Sequence, residues 1–186
     1  ANVRIMLLKS EGKSFSAGAD LNWMKRKASY SYQQNLNDAY ALAAMLKALH
    51  QMPMPTIAKV QGAAFGGAVG LISCCDIAVS SFNASFALSE VKIGLVPSTI
   101  SPYVIAAIGE RHAKRYFMTA ERFDANTAVQ IDLVHEAVDK QLLDEKVEQL
   151  ITAILCNGPE AVASAIQLVF AVRGKSIDST LIEHTC

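Results

Sequence analysis

The sequence predicts an α/β fold with a helical C-terminal part. Two apolar runs, 3–9 and 56–60, show the weak alternation that is typical of strands covered on both faces. An amphipathic stretch over 33–51 lies between them, and two more helical patterns lie within 147–172. The order strand, helix, strand predicts a parallel crossover, because parallel neighbours need a long connection.

The first helix is predicted from side chains that recur at three- and four-residue spacing. They are Leu36, Ala39, Tyr40, Ala43, Leu46 and His50. The turn at 11–13 ends the strand before this helix. Pro53 and Pro55 follow the helix, and proline cannot continue one.

The later elements are shorter or more evenly apolar. Residues 76–80 predict a third strand and 133–138 a late, short one. Apolar positions from 147 to 154 predict one C-terminal helix, and those from 162 to 172 predict another. Asn157-Gly158-Pro159 separates them, with glycine at the expected C-cap and proline at the next start.

Composition narrows the function classes. The chain has 186 residues, enough for one domain with a sizeable core. It carries 17 Lys and Arg against 17 Asp and Glu and has no basic stripe, which argues against nucleic acid or an anionic membrane as partner. Charged residues make up 18%, below the typical value of about 25%, and 52% are hydrophobic. This apolar excess predicts subunit contacts, a large ligand pocket, or both.

The cysteines and the chain start favour a soluble cytoplasmic protein. None of the cysteines has the spacing of a zinc or redox motif, so we expect free thiols and no metal. They are Cys74, Cys75, Cys156 and Cys186. The longest uncharged run, 60–75, falls short of the roughly 20 apolar residues that span a bilayer. The sequence opens directly on a strand, with no signal-peptide pattern.

Two glycine-containing turns, 14–21 and 61–70, follow the first two strands. Ligands of open α/β sheets bind beyond the carboxyl ends of strands. Neither turn matches a phosphate-binding glycine motif. Backbone amides from both turns could instead form an oxyanion hole, the second at a helix N-terminus. The alternative is that Gly66-Gly67 merely permits close helix packing and Gly18 merely makes a turn.

Three segments, 15–21, 62–76 and 86–97, resemble the crotonase or enoyl-CoA hydratase superfamily in order and spacing. Residues 133–138 resemble its late strand, so the resemblance covers essentially the whole chain. Details at 19–24 and 100–104 look closest to the bacterial methylglutaconyl-CoA hydratase branch of leucine and isoprenoid catabolism. The resemblance implies a crotonase (ClpP/crotonase-like) spiral of ββα turns over 1–140, which contains the active site. It implies a helical trimerisation region over 141–186.

The resemblance also implies residue roles. Glu90 matches a catalytic carboxylate, and the N–H groups of Ala19 and Gly67 would form the oxyanion hole. The residues implied at the adenine end of coenzyme A are Ala17, Asp20 and Leu21. An equally good interpretation of Asp20 is a helix N-cap ahead of 21–27.

The implied reaction is addition of water across the conjugated double bond of an acyl-CoA thioester. An apolar pocket would raise the pKa of Glu90 and let it act as both base and acid. Two-carboxylate hydratases have a second Glu where this sequence has Gly70, and we expect Gly70 to leave space for a branched or carboxylated acyl group such as methylglutaconyl. The backbone around Ser98 would help to hold the water. A single carboxylate also fits a 3,2-enoyl-CoA isomerase, and the missing Glu fits a catalytically weak homologue.

The partners follow from the same resemblance. Coenzyme A is part of the substrate, so we expect no separate cofactor. We expect a homotrimer or a dimer of trimers, and additional chain before residue 1 and after residue 186. The apolar excess would then line the acyl-CoA pocket and, over 147–172, lie between subunits.

Overall fold

Four parallel strands form the larger of two sheets. The computed structural model describes residues 3–20, 22 and 29–186. In spatial order the strands are β1 (Met6–Leu8), β2 (Thr56–Val60), β4 (Ile77–Ser81) and β7 (Glu136–Val138). All three neighbouring pairs are parallel, which confirms the predicted parallel class. The predicted late strand 133–138 is shortened to its last three residues.

The helix α1 (Tyr32–His50) forms the predicted crossover between β1 and β2. A capping box begins it: the Ser31 hydroxyl accepts the Gln34 N–H at 3.3 Å, and the Gln34 side chain accepts the Ser31 N–H at 2.8 Å. Leu46 and Leu49 are the helix positions that are buried against the core.

The second sheet consists of strands that the sequence patterns did not predict. It contains β3 (Ala63–Phe65), β5 (Ser85–Ala87) and β6 (Phe123–Asp124), in that order. The β3–β5 pair is parallel and the β5–β6 pair is antiparallel. Each strand has only two or three residues, which is too short for a period of two to be visible.

Two strand–strand–helix units repeat along the chain. The first is β2, β3 and α2 (Gly67–Cys74), and the second is β4, β5 and α3 (Ser101–Thr119). A short 3₁₀ helix (Glu90–Ile93) precedes α3, and α4 (Ala125–Gln130) precedes β7. Val60, Phe86 and Val104 are fully buried between these elements.

The C-terminal part is helical, as predicted. It contains α5 (Leu143–Leu155), α6 (Pro159–Val172) and α7 (Ser179–Thr185). The expectation that 147–172 lies between subunits is wrong for α5, because Val147 and Leu143 pack on Ile57 and Val79 of the same chain. On α6, Leu168 and Val169 are exposed by 48% and 62%.

Within the described ranges, no single helix is long and apolar enough to cross a membrane. Only 140–155 and 159–172 taken together reach that length and composition, and they meet at a bend of 103°.

Candidate functional site

The two glycine-containing turns lie side by side because their backbones are hydrogen-bonded. The Ser16 N–H donates to the Ala63 carbonyl at 2.9 Å, and the Phe65 N–H donates to the Ser16 carbonyl at 2.9 Å. The Phe15 N–H donates to the Gln61 carbonyl at 2.7 Å. The first turn is thereby fixed against the second turn.

Gly62 makes this close approach possible. Its φ is +61°, and a Cβ built on it would lie 2.0 Å from the carbonyl oxygen of Lys13. Real Cβ atoms do not come that close to backbone atoms, so any larger residue would push the two turns apart.

A cavity of about 440 Å³ lies where the turns meet α1 and the 89–100 segment. This volume is within the range of small-molecule sites, about 300–1,000 Å³. Most of its side chains are apolar, among them Leu42, Met45, Leu71, Ile93, Leu95 and Val96. Within the described lining, Glu90 is the single side chain that can ionise.

Glu90 is the first residue of the 3₁₀ helix, and its carbonyl accepts the Leu95 N–H at 3.1 Å. Its Oε2 atom is buried without a hydrogen-bond partner in the described part of the chain. Burial raises the pKa of the Glu90 carboxyl above its usual value, and a hydrogen bond from its own backbone N–H offsets part of the rise. A carboxyl in this state is a candidate acid and base.

Gly66 provides the surface on which this carboxyl rests. Its φ of +59° favours glycine, and its N–H donates to the Ala87 carbonyl at 2.8 Å. A Cβ at position 66 would lie 3.1 Å from Glu90 Oε1. Gly66 therefore both directs the chain into α2 and leaves room for Glu90.

The N–H groups of Ala19 and Gly67 have no hydrogen-bond partner within residues 3–20, 22 and 29–186, and both residues line the cavity. Gly67 is the first residue of α2, where the helix dipole favours negative charge. A Cβ on Gly67 would meet no atom within 4 Å, so close packing does not explain this glycine. Both residues therefore face the cavity with an N–H group that is free within the described ranges, and their role as an oxyanion hole stays a prediction.

None of the residues predicted at the adenine end of coenzyme A is among the described residues that line the cavity. Ala17 and Asp20 are exposed. Asp20 Oδ1 accepts the Asn22 N–H at 2.7 Å, the local bond that an N-cap makes. Leu21 lies outside the described residues. Coenzyme A contacts at these positions stay a prediction.

The expectation that Gly70 leaves space in the substrate pocket is wrong. Gly70 is buried and does not line the cavity. A Cβ built on it would lie 2.3 Å from Cγ2 of Ile100, a residue that does line the cavity. The space is filled because Ile100 packs onto α2 where a side chain at position 70 would lie.

Ser98 lines the cavity, but the expectation that its backbone N–H helps to hold the water is not met. That N–H donates to the Val96 carbonyl at 2.8 Å, and the Ser98 hydroxyl donates to the same oxygen at 3.3 Å. The neighbouring Thr99 is half-buried in the cavity wall, and its hydroxyl makes no hydrogen bond within the part of the chain that is described. No sequence pattern singles out Thr99, although it borders Ser98 in the same turn.

Other reactive groups have structural roles. Burial raises the pKa of the Cys74 and Cys75 thiols to about 12, so both are protonated at neutral pH. The His50 ring packs edge-on against Tyr103, with centroids 5.1 Å apart. His135 Nδ1 accepts the Ala78 N–H at 3.1 Å. Both histidines therefore make contacts within the fold.

We expect Glu90→Gln to stabilise the fold at neutral pH and to have little effect in acid. Because the folded-state pKa is raised, the stability contribution of this carboxyl is complete below its unfolded pKa and is lost as pH rises through the folded pKa. Glutamine cannot ionise and avoids that loss. The difference in Tm between variant and wild type, measured from pH 4 to pH 8, should grow with pH.

Glu110→Gln is the matched control for this stability measurement. Lys114 lowers the pKa of the exposed Glu110 carboxyl by hydrogen bonding and charge, so its contribution is present above the unfolded pKa. Its amide variant should therefore show a Tm difference of opposite sign at neutral pH. A Tm difference for Glu90→Gln that does not change with pH would contradict the expectation.

Comparison with known proteins identifies the family of this chain. The enoyl-CoA hydratase/isomerase family model matches residues 1–179. The crystal structure of an enoyl-CoA hydratase from Shewanella pealeana has a TM-score of 0.93 and 49% sequence identity, covering 98% of this chain and 68% of that chain. A Thermus thermophilus protein provisionally named an enoyl-CoA hydratase is 30% identical over 176 residues, 95% of this chain and 70% of its own length.

A third relative is an enoyl-CoA hydratase from Alternaria alternata, 30% identical over 178 residues. This chain spans 58% of that protein's length. The likeness to solved structures confirms the predicted crotonase fold, with its strand–strand–helix units and helical C-terminal part. By sequence and by structure, the chain belongs to the enoyl-CoA hydratase/isomerase family.

Proposed function

We propose that the chain carries the active site of an enoyl-CoA hydratase, a hydro-lyase that adds water across the conjugated double bond of an acyl-CoA thioester. One observation carries the proposal. Glu90, a half-buried residue whose Oε2 atom is buried, shares an apolar cavity with the N–H groups of Ala19 and Gly67, which have no partner among the described residues. These are the parts that an enolate-forming reaction of a thioester needs.

The two N–H groups would bind the thioester oxygen. As water adds to the β-carbon, the electron pair of the double bond moves towards this oxygen, and an enolate forms. Each oxyanion donor is typically worth about 2.7–4 kcal/mol of transition-state stabilisation. The position of Gly67 at the start of α2 adds the favourable end of the helix dipole.

Glu90 would act twice in the reaction. As the carboxylate it takes one proton from the water while the oxygen bonds to the β-carbon. As the carboxylic acid it returns that proton to the α-carbon. Burial raises the pKa of this carboxyl, which brings its protonated and ionised forms closer in free energy at neutral pH. Thr99 lines the cavity, and its hydroxyl would hold the water. The Ser98 N–H would not, because it donates to the Val96 carbonyl.

For the acyl group we propose a branched or carboxylated chain, with methylglutaconyl-CoA as the example. The resemblance of 19–24 and 100–104 to methylglutaconyl-CoA hydratases supports this choice. The described cavity lining is largely apolar and contains no Lys or Arg, which suits a hydrocarbon branch. A substrate carboxylate would need a cation from outside these residues.

A 3,2-enoyl-CoA isomerase is the second candidate. The observation in its favour is the single carboxyl in the described lining, because one base suffices to move a proton between carbons. The third candidate is a catalytically weak homologue, which a panel of acyl-CoA substrates would distinguish from the other two.

The assembly that we propose is a homotrimer or a dimer of trimers in the cytoplasm. The exposed Leu168 and Val169 on α6 support burial against another subunit, and four free cysteines support a reducing compartment. Coenzyme A enters with the substrate, and we propose no separate cofactor. Light scattering during gel filtration of the full-length protein measures the assembly.

The test of function is a substrate panel with the full-length protein. It contains crotonyl-, methylcrotonyl-, methylglutaconyl- and 3-enoyl-CoA. Hydration is expected to remove the absorbance of the conjugated substrates, most rapidly for the branched ones, with the mass of one water added to the product. A gain of absorbance from 3-enoyl-CoA alone would identify an isomerase. No reaction with any member would identify a weak homologue.

A further inference from the structure

We infer that Ile100 limits how much bulk the β-carbon of the substrate can carry, because its side chain occupies the place of a side chain at position 70. The assignment to the β-carbon rests on the proposed function. The packing itself does not.

The contact between the two positions is closer than any side chain at position 70 allows. A Cβ on Gly70 would lie 2.3 Å from Ile100 Cγ2, 2.6 Å from Ile100 Cβ and 3.7 Å from Ile100 Cα. The backbone of Gly70 is helical, so the missing side chain answers a need for space and not for an unusual conformation. Glycine is unfavourable inside a helix, and the contact with Ile100 accounts for its presence.

Ile100 is held rigidly in this place. It is 3% exposed, directly precedes α3 and lines the cavity that contains Glu90. A buried side chain in a packed interior has little freedom to move aside for a ligand. Ile100 therefore acts as a fixed wall.

The wall stands near the reacting carbons. Gly70 follows Gly67 by three residues on α2, so the two lie on one helix face, about 4.5 Å apart along the axis. The β-carbon is two bonds from the carbonyl carbon, whose oxygen would bind the Gly67 N–H. A methyl group over Gly70 thus lies within reach of the β-carbon and its substituents.

The substrate class follows from this position. Enoyl thioesters with hydrogen or one methyl-sized branch on the β-carbon fit, and bulkier substituents meet Ile100. The wall is also apolar, so it contributes neither a proton nor a water ligand on the side where a second carboxylate would otherwise stand.

Binding of saturated thioesters tests this without any reaction. The ligands are butyryl-CoA, 3-methylbutyryl-CoA and 3,3-dimethylbutyryl-CoA, titrated calorimetrically into the full-length wild type, Ile100→Ala and Ile108→Ala. Ile108 is the matched control, since it is an isoleucine of α3 that is 4% exposed and absent from the cavity lining.

In the wild type we expect 3,3-dimethylbutyryl-CoA to bind about tenfold or more weakly than butyryl-CoA, because overpacking a rigid wall is costly. Ile100→Ala should remove most of that difference, and Ile108→Ala should keep it. The inference is overturned if the wild type shows no such difference, if Ile100→Ala retains it, or if Ile108→Ala removes it equally. The wild type could fail to hydrate any substrate while Ile100→Ala still removes the difference in affinity between the two thioesters. That result would refute the proposed function but not the role of Ile100 in limiting bulk.

A second measurement does not depend on ligand binding. Gly70→Ala should lower the Tm of the wild type but not that of Ile100→Gly, in which the nearest remaining atom of residue 100 is the Cα, 3.7 Å away. Equal lowering of the Tm in both backgrounds would overturn the proposed packing.

Discussion

Glu90→Gln is expected to lower kcat for hydration by about 10²–10⁴-fold, the usual contribution of a positioned acid or base. The amide keeps the shape of the carboxyl group but cannot take a proton from water or return one to the α-carbon. The Glu90 side chain lies over Gly66, and its Oε2 atom has no hydrogen-bond partner among the described residues. The substitution therefore breaks no hydrogen bond of Oε2. The loss should therefore appear in activity and not in folding.

The measurement is the steady-state decrease in absorbance of a conjugated enoyl-CoA. Glu110→Gln removes a carboxylate from the exposed surface of α3 and should leave kcat close to that of the wild type. Circular dichroism of each variant checks that the fold is intact. Equal rates for wild type and Glu90→Gln would refute the role proposed for this residue.

Gly67→Pro is expected to reduce kcat/KM by about 10²–10³-fold, which corresponds to the roughly 2.7–4 kcal/mol of one oxyanion donor. Proline removes the N–H and leaves the helix start acceptable, since Gly67 is the first residue of α2 and proline is favoured there. Gly66 has ψ −121°, outside the helical region that a following proline disfavours.

Gly67→Ala isolates the effect of the lost donor. It keeps the N–H and adds a methyl group at a point with no atom within 4 Å. Any crowding of the substrate by that methyl is shared by the larger proline ring, so the difference between the two variants reports the N–H. A proline variant that has the Tm and the kcat/KM of the alanine variant would show that Gly67 is not an oxyanion donor.

Some features of the site are local enough to be predicted from sequence. Three of them depend on residues only a few positions apart. They are the hydrogen bond from the Asn22 N–H to the Asp20 side chain, the glycines at the turn into α2, and the end of α1 before Pro53. The joint pattern of spaced motifs predicts Glu90, while the partial burial and raised pKa of its carboxyl are results of the fold.

Other features depend on contacts between distant segments. The strands β3, β5 and β6 form although each is too short for a recognisable pattern, because pairing with a neighbour satisfies their backbone groups. The amphipathic pattern of α5 indicates a buried face equally well for a sheet of its own chain and for another subunit. The packing of α5 on Ile57 and Val79 shows that this face lies against the sheet of its own chain.

By itself, the sequence determined the α/β class, the long helices, the two converging turns and Glu90 as the candidate acid and base, since each depends on a local period or a spaced motif. Only the tertiary structure decided what fills the space beside Gly70. The physical reason is that glycine specifies the absence of a side chain but not which atoms take its place. Here they belong to Ile100, thirty residues further along the chain, and they turn an expected opening into a wall.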